Sequence, residues 1–380
     1  MKEIIKACRD ASIPLVAGVA LSLVMANAAP HTYHKIIDAP IIGEGINLHF
    51  IINDVFMAFF FAIAAVEIVH SLSPGGALNP PKKAVTPLMG TVGGVAGPII
   101  IFFILNMLIG SPEYSDGWGI CTATDIALSW LVAKIVFGND HPAINFLLLL
   151  AVVDDAIGLV IIAVFYPSQD TPFTPAWMLL ITLAMLLAYI LRDRKVQSFL
   201  PYILICGTIS WFGMHMAGLH AALAMVFIIP FMPRKTALHN FERKVAPVVD
   251  FGLFFFGFVA AGVEVSNISM LSLIIMVSII IGKAIGIYSM TALAVKLKYP
   301  LPEGMTLKDA SLVGILGGIG LTVALFVCES AFVDAGLIAA AKMGALGSLL
   351  AAIIAIAVAR IRKLKGKPVP VLECLENENE

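Results

Sequence analysis

The chain has 380 residues, of which 60% are hydrophobic and 13% charged, with a mean hydropathy of +0.97 and a formal net charge of −1. Soluble domains run near half apolar and a quarter charged, so this composition excludes a soluble domain and describes an all-α polytopic membrane protein. The near-zero charge leaves no basic surface for nucleic acid. Five scattered cysteines (Cys8, Cys121, Cys206, Cys328, Cys374) show no CxxC spacing, which argues against a disulfide framework or a zinc site.

In chain order, the leading MKEIIKACRD resembles a signal n-region. The apolar run after it is long and many spans follow, so it reads as a retained first helix. At about 20 residues per crossing, hydropathy predicts twelve spans: 12–29, 50–72, 85–109, 119–137, 144–166, 176–191, 199–214, 217–232, 247–263, 270–295, 309–329 and 335–360. The longer connector 30–49 alternates and carries Gly and Pro, which predicts a small β-hairpin outside the membrane, on the periplasmic side. Residues 1–367 read as one integral-membrane domain and 368–380 as an acidic, disordered tail. Twenty-one of the 24 Lys and Arg residues fall on one side of this topology. Positive charge stays cytoplasmic, so both termini are expected inside and the span count even.

Ionisable residues within spans carry the functional signal, because each costs roughly 2.5–3.5 kcal/mol at the bilayer centre on insertion scales. Glu67 lies about a turn inside the cytoplasmic end of the second span, with His70 close by. A lone histidine is more often a satisfied hydrogen-bonder than a sensor, and the same holds for His220 at the start of the eighth span. Asp125 sits in the fourth span among Cys121, Thr122, Thr124 and Ser129. Hydroxyls and an acid can serve backbone groups freed where a helix breaks, although threonines alone also bond back to their own helix.

Asp154 and Asp155 are adjacent in the apolar run 146–165, and each disfavours ionisation of the other. Lys283 lies mid-span in the tenth, too deep to snorkel, and is expected to pair with a carboxylate. That pair would serve either the bundle or transport. Gly314, Gly317, Gly318 and Gly320 cluster in the eleventh span. Small residues at such spacing often only let helices pack; the other reading is an unwound segment. No cofactor and no enzymatic site is expected.

Hard cations take oxygen ligands, and a carboxylate gives up its proton when a cation binds. Asp154 and Asp155 supply that competition for Na⁺ against H⁺, with Thr124 and backbone carbonyls as further oxygens. Adjacent helical residues point about 100° apart, so both acids meet one cavity only by straddling its edge. Interrupted fourth and eleventh helices would bring like dipole ends together, with Asp125 neutralising the positive ends and Lys283 the negative ones.

The segments INDVFMAFFF, AAVE, ATDIAL, AVVDDAIGLVIIAVFY, LHAALA, IGKAIGI and GILGGIGLTVALF occur in this order over nearly the whole chain, and the chain resembles the NhaA family of bacterial Na⁺/H⁺ antiporters. That family is itself a standard example of broken helices at a transport site. The resemblance implies twelve helices, inverted repeats formed by spans three to five and ten to twelve, and crossing chains at spans four and eleven. It implies electrogenic, pH-regulated exchange of one Na⁺ (or Li⁺) for two H⁺ across the inner membrane, serving sodium and pH homeostasis. Asp154 and Asp155 become the ion and proton site, Thr124 and Asp125 part of the fourth-helix break, and Lys283 the tenth-helix lysine. His220 corresponds to a histidine tied to pH response, and Glu67 and Glu242 to funnel acids. The outer hairpin implies a homodimer through 30–49. Two departures stand out: Glu67 is followed by Ile-Val-His-Ser rather than Lys-Arg-Glu, and Cys121-Thr122 precede Ala123 where a proline is common.

Two other classes fit less well. An intramembrane aspartyl protease needs its acids on two helices, as YD and GxGD, and neither pattern occurs. A sodium-coupled solute symporter needs a wider polar cavity than these sparse span polar residues provide.

Overall fold

Backbone polar groups in a bilayer have no water to bond, so apolar runs of this length satisfy themselves as helices. The computed structural model describes residues 13–42, 46–76, 81–167 and 172–362; the predicted tail at 368–380 lies outside them. The helices are α1 (Ile13–Ala28), α2 (Pro30–Asp38), α3 (Leu48–Leu72), α4 (Pro81–Ile109), α5 (Ile126–Phe137), α6 (Pro142–Phe165), α7 (Pro175–Asp193), α8 (Tyr202–Met216), α9 (His239–Ala260), α10 (Met270–Lys296), α11 (Leu307–Gly317), α12 (Thr322–Ala331) and α13 (Ala335–Ile361). Six of them, α3, α4, α6, α7, α10 and α13, are long and apolar enough to cross a membrane. Two bent helix pairs are long and apolar enough only when joined: a 3₁₀ segment Pro112–Thr122 meets α5 at 60°, and α11 meets α12 at 49°. The described residues therefore hold six such helices, or eight with each pair counted as one span.

Two predicted elements differ from the structure. Residues 217–232 form no continuous helix. Gly218 has a φ of +74°, and the stretch proceeds through tight turns and short 3₁₀ pieces at Ala221–Leu223 and Ile229–Phe231, with Pro230 unable to donate. The segment 30–49 is hairpin only in part. Pro30 stands at the first helical position, where a missing N–H costs nothing, and α2 runs to Asp38. Among the described residues, only β1 (Pro40–Ile42) and β2 (Ile46–Asn47) pair, antiparallel.

The described residues pack as two units, one made of 71–158 with 265–362, the other of 14–70 with 159–264. In the second unit, Gly18 packs on the Phe254 backbone, where any Cβ would overlap the carbonyl. The Tyr33 hydroxyl donates to the Phe258 carbonyl at 2.7 Å and docks α2 on α9. A buried cluster around Tyr202, Cys206, Met225, Ile228 and Phe241 fills its core.

In the first unit, α4 and α10 approach backbone to backbone. Gly93 faces the Gly286 carbonyl and Gly97 the Gly282 carbonyl, so closely that a side chain on either would clash. Small residues permit that approach between membrane helices. Gly282 and Gly286 flank Lys283, so the seam fixes where that lysine points. A π-helical turn at Ser278–Gly282 immediately precedes it; such turns insert an extra residue and often mark functional positions. Thr91 donates to the Leu150 carbonyl at 3.3 Å and ties α6 to the same seam.

Candidate functional site

The two helix breaks of the first unit meet. The Asp125 N–H donates to the Ile319 carbonyl at 2.6 Å. Helix ends leave orphan N–H and C=O groups, and each end here finds a partner on the other broken span. At the end of α11, the Gly317 carbonyl accepts from the Thr124 hydroxyl at 2.8 Å and the Leu316 carbonyl from Ser129 at 2.9 Å.

Asp125 serves two helix starts. Its Oδ1 accepts from the Leu128 N–H at 3.0 Å and caps α5. Its Oδ2 accepts from the Thr322 hydroxyl at 3.1 Å and faces the Thr322 N–H at 3.5 Å, at the start of α12. Both starts carry the positive end of a helix dipole, and one carboxylate stands between them. Asp125 is buried, 4% exposed.

Lys283 is wholly buried. Its Nζ donates to Asp154 Oδ2 at 2.5 Å, to the Thr122 carbonyl at 2.6 Å and to the Thr124 hydroxyl at 2.6 Å. An ammonium has three donors and no acceptor, so all three are in use. The Thr122 carbonyl belongs to the end of the first broken half, where a cation complements the dipole. The other Asp154 oxygen, Oδ1, is buried with no hydrogen-bond partner among the described residues. Asp155 follows about 100° round the helix and is half-buried. The two acids thus differ in exposure: Asp154 is 2% exposed and Asp155 half-buried.

The remaining sequence-derived residues belong to the second unit. Glu67 is exposed on α3. His70 Nε2 stands 3.1 Å from Glu242 Oε2, both side chains exposed. His220 is half-buried and precedes the 3₁₀ turn at Ala221–Leu223. Elsewhere in the first unit, Lys342 is buried and its Nζ donates to Glu329 Oε1 at 2.6 Å.

Sequence reasoning did not single out Thr322 or the α4 glycine seam. The signals were there: Thr322 closes the GGIGLT run, and GTVGGVAG repeats small residues at helical spacing.

The sequence profile of the family described as Na⁺/H⁺ antiporter 1 matches residues 2–359. The chain belongs to that family. The Na⁺/H⁺ antiporter NhaA of Desulfitobacterium hafniense is 50% identical over 379 residues, covering 96% of this chain and 97% of that one. The NhaA of Geobacter sulfurreducens is 48% identical over 383 residues, covering 97% and 100%. Among solved structures, the sodium proton antiporter MjNhaP1 from Methanocaldococcus jannaschii superposes with a TM-score of 0.62 over 93% of this chain and 92% of that one, at 14% identity. That likeness speaks to the fold. This member of the Na⁺/H⁺ antiporter NhaA family is therefore a multi-pass membrane protein with the fold of a sodium–proton antiporter.

Proposed function

We propose that the protein exchanges Na⁺, or Li⁺, for H⁺ across the bacterial inner membrane. The observation that carries this reading is the buried Lys283–Asp154 pair beside the half-buried Asp155, with Asp154 Oδ1 unpartnered, where two helix breaks meet. Family membership and the names of the relatives support it.

Asp154, Asp155 and Thr124 take the ion, as substrate. Na⁺ and H⁺ compete for the Asp154 and Asp155 carboxylates, because a carboxylate must be free of its proton to hold the cation. Exchange of one Na⁺ for two H⁺ moves one net charge per cycle and is electrogenic. Asp125 and Lys283 compensate the helix ends at the break.

The wider reading is twelve crossings with both termini cytoplasmic, inverted repeats and crossed broken helices. The segments 13–28, 202–216, 217–232 and 239–260 join the eight long spans. Irregular backbone survives at membrane depth where protein covers it; Ala221–Met225, Ile228, Ile229 and Met232 are all buried. Dimer formation through 30–49, and a role for Glu67, His70, His220 and Glu242 in the pH response that serves sodium and pH homeostasis, belong to the same reading.

Everted vesicles with an imposed pH gradient test it. Adding NaCl or LiCl should collapse the gradient, and the rate of collapse should change when the membrane potential is clamped to zero. KCl should do far less. No cation-dependent collapse between pH 6.5 and 8.5 would overturn the proposal.

A further inference from the structure

The last helix, α13, is not uniform. Around Ser348 its bonds tighten to three-residue spacing: Ser348 N–H to the Ala345 carbonyl at 3.0 Å, Leu349 to Leu346 at 3.1 Å, Ala351 to Ser348 at 2.9 Å. Mid-helix tightening of this kind often marks a hinge or a strained sequence. Here it coincides with an unusual side-chain contact. The Ser348 hydroxyl donates to the Gly320 carbonyl at 2.6 Å and accepts from the Gly320 N–H at 3.2 Å. Ser348 is wholly buried.

Gly320 lies in the unwound stretch between α11 and α12, where helix bonds are missing. A side chain there would overlap the Ala123 carbonyl of the other break, so the position can hold nothing larger than glycine. With its own helix interrupted and no side chain, Gly320 has both backbone groups in need of partners. A buried backbone group without a partner costs roughly 1–3 kcal/mol, and one hydroxyl answers both. The adjacent Ile319 carbonyl receives the Asp125 N–H. Asp125 adjoins Thr124, whose hydroxyl accepts from Lys283.

We infer that Ser348 is a positioning residue: from the last helix it latches the second break, and through Gly320, Ile319 and Asp125 it sets the register of Thr124 and Lys283 at the ion site. This rests on the exchange reading above, because the site it positions is the one assigned to Na⁺.

The test compares Ser348→Ala, Ser348→Cys and Ser330→Ala with the wild type in lipid nanodiscs and vesicles. Ser330 is a control: it is a buried hydroxyl that bonds back along its own helix, donating to the Phe326 carbonyl at 3.3 Å. Hydrogen–deuterium exchange of amides 318–322 should quicken about 10-fold in Ser348→Ala, less in Ser348→Cys, and not at all in Ser330→Ala. In vesicles Ser348→Ala should raise the apparent KM for Na⁺ about threefold or more with the maximal rate within about twofold, and Ser348→Cys should recover part of that. Unchanged exchange at 318–322 would overturn the inference. So would an equal loosening in Ser330→Ala, or a loosened break with wild-type KM. A wild type inactive with Na⁺ would sink the exchange reading, while faster amide exchange confined to 318–322 would still bear out the latch.

Discussion

Lys283 Nζ and Asp154 Oδ2 lie 2.5 Å apart with both side chains wholly buried. Desolvating two charges nearly cancels their attraction, whereas removing one partner strands the other at a cost of roughly 3–5 kcal/mol. Such a pair is weak evidence for stability, yet breaking it from one side is costly.

Lys283→Ala should therefore lower thermal stability and exchange together, because Asp154 is left ionised without a partner or must bind a proton. Lys283→Arg should be milder for stability. The double variant Lys283→Gln with Asp154→Asn should regain most of the lost stability without regaining exchange. Thermal unfolding in detergent and vesicle dequenching check both. If Lys283→Ala leaves stability and exchange intact, the pair is only tolerated.

Asp154 and Asp155 should separate by phenotype. Asp155→Asn keeps the shape and removes the half-buried carboxylate, so Na⁺-driven proton movement should vanish. Asp154→Asn strands Lys283 and should cost stability as well as transport. Wild-type exchange in Asp155→Asn would sink the site assignment.

Asp125 caps two helix starts at once, and a cap is worth about 1 kcal/mol. Asp125→Ala should thus cost about 2 kcal/mol of stability, and Asp125→Asn, which retains an acceptor, clearly less. Chemical or thermal unfolding of the purified variants measures it. Equal losses for Ala and Asn would mean that the charge, rather than the acceptor geometry, holds the break.

The candidate site was legible where chemistry is local and the helices where hydropathy is long. Asp154-Asp155 and Lys283 announce themselves because charge at that depth is expensive, and α3, α4, α6, α7, α10 and α13 because each carries an unbroken apolar run. The choice of Asp154 as the lysine's partner was not legible. It depends on the π-helical turn at Ser278–Gly282 and on the Gly93–Gly286 approach, and neither is a property of one segment. Residues 217–232 misled because their apolarity reflects burial by protein neighbours, while Gly218 and Pro230 forbid a continuous helix. In 30–49 the described residues pair as strands at Pro40–Ile42 and Ile46–Asn47, while Pro30 starts a helix where alternation suggested a strand.

The last prediction concerns pH. A carboxylate must be free of its proton to take Na⁺, so exchange should fall as pH drops, and more Na⁺ should move the midpoint to lower pH. The His70–Glu242 pair is exposed, and an exposed pair is worth at most about 1 kcal/mol. Its loss should move the midpoint by less than about 0.7 pH unit. Competition for the carboxylates carries no such ceiling: once Na⁺ exceeds its dissociation constant, each further tenfold rise moves the midpoint by about one pH unit if one proton leaves per Na⁺ and about half a unit if two leave. Exchange measured against pH at low and tenfold higher Na⁺, in wild type, His70→Ala and Glu67→Gln, distinguishes the two. The expected result is an acid shift with Na⁺ in all three proteins and a small displacement among them. A midpoint indifferent to Na⁺ but moved by more than a unit in His70→Ala would make the funnel a separate sensor and reverse this ranking.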